Sequence, residues 1–136
     1  MSRPGAGVLD TSTVVSLARL DDEALPAEPH ITAVTLAELS VGPLVADTEQ
    51  EQARRQAVLQ QAEADFDPLP FDAAAARAFG QVAASLRQAG RKASARTYDA
   101  MIASIAVSQD LPVHTLNPKD FTGIDGLEVV AVSLRS

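Results

Sequence analysis

Short apolar runs, several of them β-branched, alternate with helical periodicity from one end of this chain to the other. That alternation constrains the fold more than any other feature. The runs lie at 7–10, 31–34, 112–116 and 127–132. Between them, helix-start residues and apolar residues at helical spacing mark 14–20, 35–42, 47–64, 73–89 and 97–109. Thr11-Ser12-Thr13 and Asp72 are ready N-caps, and Thr35-Leu36-Ala37-Glu38 has the form of a capping box. Gly42-Pro43 and Gly90 end helices, and 21–29 is a loop rich in acid and proline. The stretch 97–109 is apolar almost all round, which places it centrally. The pattern predicts an α/β domain with a mostly parallel central sheet, right-handed crossovers and helices on both faces. No repeat or linker divides the chain, so one domain over 7–136 is expected behind a flexible tail over 1–6.

Four of these segments end in, or lead to, an acid or an amide. Val8-Leu9 runs into Asp10, Ile31-Thr32-Ala33-Val34 leads to Glu38, Asp99 opens Met101-Ile102-Ala103, and Val113-His114-Thr115-Leu116 ends at Asn117. A carboxylate at the end of a buried run is costly unless something pairs with it. No single Lys or Arg lies close in sequence to three of them. Ligands of open α/β sheets bind beyond the carboxyl ends of the strands, so these side chains can converge at one rim. An oxygen-only donor set suits Mg²⁺ or Mn²⁺ and nothing softer, and the absence of cysteine removes thiolate sites altogether.

Each residue also has an ordinary reading. Asp10 can be an N-cap, although Thr11, Ser12 and Thr13 make that role unnecessary. Glu38 can be the far half of the capping box, reaching back to the Thr35 N–H. Asp99 can form a surface bridge with Arg96 one turn earlier. Asn117 and Asp120 can be turn or cap residues around Pro118. His114 reads as a partly exposed or satisfied core histidine rather than a ligand or base.

The formal net charge is −7, which makes the chain a poor non-specific binder of nucleic acid. The charge is unevenly spread. From 73 to 98 there is no acid, while Arg77, Arg87, Arg91, Lys92 and Arg96 all fall there. That stretch is either a solvated helix face with a polar loop or a phosphate-gripping patch. With 46% hydrophobic residues in 136, the chain can build a real core, and with 4% aromatics that core must be aliphatic. No apolar run reaches the roughly 18 residues of a membrane span, and no signal-peptide core is present, so a cytoplasmic protein is expected.

At this point the chain resembles the PIN-domain ribonucleases, specifically the VapC-type toxins of bacterial toxin–antitoxin pairs. The resemblance rests on Val8-Leu9-Asp10-Thr11-Ser12, on Ala33-Val34-Thr35-Leu36-Ala37-Glu38-Leu39-Ser40-Val41-Gly42, and on Tyr98-Asp99-Ala100-Met101-Ile102-Ala103. The fourth stretch is Leu111-Pro112-Val113-His114-Thr115-Leu116-Asn117-Pro118-Lys119-Asp120-Phe121. Each is short, but four in order are much more specific. The resemblance implies a metal-dependent endoribonuclease, with Asp10, Glu38 and Asp99 as catalytic metal-binding acids. Asn117 would complete the ligand set where the family often has Asp, and Ser12, Thr115 and Asp120 would be auxiliary. Leu116 stands where such proteins often carry Arg. Mg²⁺ or Mn²⁺ would be the cofactor. RNA would be the substrate, gripped by Arg87, Arg91, Lys92 and Arg96. A cognate antitoxin and a homodimer would be the assemblies, with the helix over 49–64 as a candidate contact surface. Two rivals remain. A phosphatase with a strand-end nucleophile needs a second acid two residues on, where this chain has Ser12. A catalytically inactive PIN-fold binding module would use the same acids only as caps and bridges.

Overall fold

The computed structural model describes residues 5–92 and 96–135. Four short strands form one parallel sheet: β1 (Ala6–Leu9), β2 (Glu28–His30), β3 (Val113–Thr115) and β4 (Val129–Ala131), in the order β2-β1-β3-β4. Five helices connect and cover it: α1 (Thr11–Val15), α2 (Ala33–Val41), α3 (Glu49–Asp65), α4 (Ala73–Gln88) and α5 (Thr97–Ser108). Short 3-10 turns follow α1, α2 and β3. This is the parallel α/β domain that the alternation predicts.

Successive residues of a strand point to opposite faces, and β1 uses both. Val8 enters a cluster with Val82 and Leu86 of α4, Ile102, Ile105 and Ala106 of α5, and Phe121. Leu9 enters a second cluster with Val14, Ile31, Leu39 and Ala62 on the opposite side. Helix α5 has six fully buried positions, as its nearly all-round apolar sequence requires. Helix α3 keeps only Ala62 buried and packs on α2, so its polar sequence is mostly a solvated face.

Several sequence expectations need correction. The tail expected over 1–6 ends by Ala6, where β1 begins, and residues 1–4 lie outside the described residues. The helix expected over 14–20 begins instead at Thr11 and gives way to a 3-10 turn at Leu17–Arg19. The second strand is not 31–34 but Glu28–His30, inside the stretch read as loop. Pro29 is tolerated because β2 is an edge strand, where a missing N–H breaks no central ladder. Ile31 and Thr32 instead run beside Leu69, whose N–H donates to the Ile31 carbonyl at 2.9 Å and whose carbonyl accepts the Ala33 N–H at 2.8 Å. Thr32 then caps α2, its hydroxyl accepting the Thr35 N–H at 3.1 Å.

His114 is wholly buried at the centre of β3, with neither ring nitrogen in hydrogen-bond geometry with a described residue. It is therefore a core histidine rather than a partly exposed one. Burial holds its pKa below the usual value, against Glu128 and the nearby Ala24 backbone. Its ring lies over Gly7. A Cβ added there would sit 2.5 Å from His114 Nε2 and closer still to Cδ2. Gly7→Ala should therefore cost about 1–3 kcal/mol of stability by overpacking. In a Gly7→Ala/His114→Ala double variant the combined cost should fall below the sum of the single costs, by about 1 kcal/mol in denaturant titrations. Simple additivity would mean that the two positions do not meet.

Candidate active site

Parallel pairing of β1 with β3, with Leu9 beside His114, brings the ends of both strands to one rim of the sheet. Asp10 leaves β1 there and is only 3% exposed. Its carboxylate caps α1, accepting the Thr13 N–H at 3.3 Å, and also accepts the Thr13 hydroxyl. The other oxygen accepts Ser12 Oγ at 3.2 Å and Thr115 Oγ1 at 2.8 Å. Asp10 is thus the N-cap after all, and more than a cap. Every one of these donors is neutral, so the carboxylate is solvated by the protein but its charge stays unbalanced. Thr115 Oγ1 accepts the Asn117 N–H at 2.9 Å, and Asn117 Nδ2 donates to Ser12 Oγ at 3.3 Å. The amide therefore joins the same network.

Glu38 reaches the rim from α2. The capping box from Thr35 does not form, because Thr32 caps the helix and takes the Thr35 N–H. Glu38 is therefore free for another partner. Thr11 Oγ1 donates to its Oε1 at 2.6 Å and sits 3.0 Å from the Thr35 hydroxyl.

Asp99 lies in the first turn of α5, half-buried. Burial, then the carboxylates of Asp120, Asp10 and Glu38, push its pKa up from 3.8 to about 6, with Arg96 acting in the opposite sense. Four acids from four parts of the chain therefore share one field. Arg96 makes an ion pair with Asp120 and lies 4.0 Å from Asp99 Oδ2. The expected Arg96–Asp99 bridge exists only as this longer contact, and Asp120 is the seat of the guanidinium. Among the described residues, no three acids or histidines close tightly enough to hold an ion as they stand.

The basic residues divide. Arg96 is at the acidic rim. Arg91 is used inside the fold, donating to the Lys119 carbonyl at 2.8 Å and to the Thr122 hydroxyl, which ties the end of α4 to the turn after β3. Arg87 and Lys92 are exposed and, among the described residues, form no ion pair with these acids. The rest of the expected connector, 93–95, lies outside the described residues. Sequence reasoning missed Thr11 and Thr13, which hold Glu38 and Asp10. It also missed Arg54 and Arg55, which line a hollow of about 320 Å³ together with Thr11 and Glu38. The Asp10–Thr13 bond follows the local spacing of an N-cap, but nothing local marks Thr11 as the partner of Glu38 or marks the two arginines. The two arginines sit in a stretch that reads as a solvated acidic face.

The PIN domain family matches residues 7–127. A Mycobacterium tuberculosis protein named Ribonuclease VapC5 is 40% identical over 132 residues, covering 95% of each chain. A Shigella flexneri protein named tRNA(fMet)-specific endonuclease VapC is 38% identical over 97 residues, covering 71% of this chain and 70% of its own. Among solved structures, a chain of VapBC-5 from Mycobacterium tuberculosis, a member of the VapBC family of toxin–antitoxin systems, matches with a TM-score of 0.83. It is 40% identical and covers 95% of this chain and 100% of its own.

The Asp99 shift fixes a sign. A carboxyl with a raised folded-state pKa takes a proton more readily folded than unfolded, so its contribution to stability falls as pH rises from about 4 to about 6. Asp99→Asn should therefore stabilise the cation-free protein at pH 7. A gain of about 1–2 kcal/mol is expected after allowing for solvent screening. The gain should vanish below pH 4 in thermal melts with chelator present. A gain independent of pH would show that the carboxylate charge is not its source.

Proposed function

The chain belongs to the PIN-domain family, and on that premise we propose that it is a VapC-type endoribonuclease toxin that hydrolyses RNA phosphodiester bonds and is neutralised by a cognate antitoxin. The observation that carries the reading is the field around Asp99. Asp10, Glu38 and Asp120, distant in sequence, all bear on that one carboxyl, in a chain 40% identical over 95% of its length to a ribonuclease VapC. Asp10 and Glu38 have only neutral donors, so they lack a balancing charge, and a divalent cation is the chemistry that supplies it.

The donors fit such an ion, being oxygens throughout. Asp10, Glu38, Asp99 and Asn117 would hold it, and binding would draw side chains together that now stand apart. When bound, Mg²⁺ or Mn²⁺ supplies an activated water near neutral pH and stabilises charge on the phosphate. The chain does the rest. Ser12, Thr13 and Thr115 fix both oxygens of Asp10, and Thr11 fixes one oxygen of Glu38. Asp120 holds Arg96 at the rim, where the guanidinium can meet a phosphate. Arg87, Arg91 and Lys92 remain outer contacts at most, Arg91 already being bonded to the turn after β3.

VapBC-5 is a member of a family of toxin–antitoxin systems, and the likeness supports an antitoxin partner here. A homodimer and a cytoplasmic location belong to the same proposal. No described helix is long and apolar enough to cross a membrane. The alternative, an inactive PIN-fold binding module, predicts no cation response at all.

Purified protein should cleave total cellular RNA with Mg²⁺ or Mn²⁺ and not with chelator. Asp10→Asn and Asp99→Asn should abolish cleavage while circular dichroism stays native. Mn²⁺ should raise the melting temperature of the parent, as ligand binding to the folded state must, and leave that of Asp10→Asn unmoved. Parental cleavage by either variant would remove that residue from the ligand set. Arg96→Ala should weaken RNA binding and lower its salt slope by about one. An unchanged slope would take Arg96 out of phosphate contact.

A further inference from the structure

We propose that the open hollow between Tyr98 and α2 is a nucleobase subsite, in which one unpaired base of the RNA stacks on the Tyr98 ring beside the acidic centre. The inference rests on the ribonuclease reading above and adds to it how the substrate is held. The hollow is about 280 Å³ and is lined by Ala37, Glu38, Val41 and Tyr98. It is roomy enough for one base.

Tyr98 stands apart from every other aromatic in the chain. Phe121 is buried, Phe71 and Phe79 pack against one core cluster, and Phe66 packs against the other. Tyr98 is 59% exposed and the chain's single tyrosine. Neighbouring positions on a helix point about 100° apart, so Asp99 can face the other acids while Tyr98 faces α2. Glu38 belongs to both environments, lining the hollow and accepting the Thr11 hydroxyl beside Asp10. The hollow therefore borders the acidic rim through Glu38. A nucleotide whose phosphate reaches that rim places its base within reach of Tyr98.

The charge of the chain favours this occupant. At net −7 it gains little from phosphate neutralisation, so a contact indifferent to charge has to contribute to holding RNA. Stacking of single-stranded bases on exposed aromatics is such a contact. Val41, 53% exposed, supplies an apolar wall across the hollow. Leu44 and Val45 are also exposed but do not line it, so they separate base stacking from protein docking on the same side.

The test is binding of a short mixed-sequence single-stranded RNA, with Ca²⁺ in place of Mg²⁺, scanned by single abasic substitutions. Tyr98→Ala should weaken binding about tenfold with its salt slope unchanged. Tyr98→Phe should bind like the parent. One abasic position should cost the parent about the same factor and cost Tyr98→Ala nothing further. Melting temperature should not move, because the ring is exposed, and Leu44→Ala should bind RNA normally. Parental binding by Tyr98→Ala, or equal abasic costs in both proteins, overturns the subsite while leaving the ribonuclease reading intact. Loss of self-association or antitoxin binding with unchanged RNA affinity assigns the hollow to a protein and also overturns it. Failure of the parent to cleave RNA with any divalent cation removes the ribonuclease reading itself, and the subsite with it.

Discussion

The buried carboxylate of Asp10 is the constraint around which the rest is arranged. At 3% exposure it has lost bulk water, and it survives because Ser12, Thr13 and Thr115 replace that water with hydroxyl and N–H dipoles. Those donors come from the start of α1 and from the end of β3, two places that meet only because β1 and β3 pair in parallel. The bonds thus do two things at once. They satisfy a buried charge, and they tie the first helix to the central strands. Neutral donors leave the charge itself in place, and the negative potential at the rim follows from that.

That potential spreads outward through the other acids. Glu38 is steadied by Thr11, again a neutral group, and burial first, with the neighbouring acids after it, pushes the Asp99 pKa up to about 6. Arg96 is the cation that, among the described residues, pairs with these acids, and it is seated on Asp120 at the edge rather than among the three inner acids. Structural economy would have placed an arginine in the middle. A site built to receive a doubly charged ion would instead keep its centre uncompensated and its positive group at the margin. The cost appears as electrostatic repulsion within the folded state, which cation binding would relieve.

Local chemistry was legible where one residue decided the outcome. Asp72 caps α4, and the all-round apolar stretch became the buried α5. Where two candidates competed, neighbours settled the matter. Thr32 and Thr35 can each cap α2, and the pairing of Ile31 and Ala33 with Leu69 chose Thr32. That choice moved the strand to Glu28–His30 and released Glu38 from the capping box. Arg91 and Arg96 look alike in sequence, yet one bonds the turn after β3 and the other meets the acids. His114 shows the same limit. Strand alternation marked it as a core residue, but only the structure shows its ring packed over Gly7.

The sequence by itself determined the class of fold and which acids stand at the ends of its apolar runs, because alternating periodicities and apolar runs ending in carboxylates are written in local order. Tertiary structure alone decided how those acids are held and what stands beside them. Thr115 lies 105 positions from Asp10 and Thr11 lies 27 from Glu38, separations over which periodicity carries no information. Such contacts are fixed by strand order, by which threonine caps α2 and by the packing of α5 beside α2, which places Tyr98 and Val41 on one hollow. All three are properties of the packed chain as a whole.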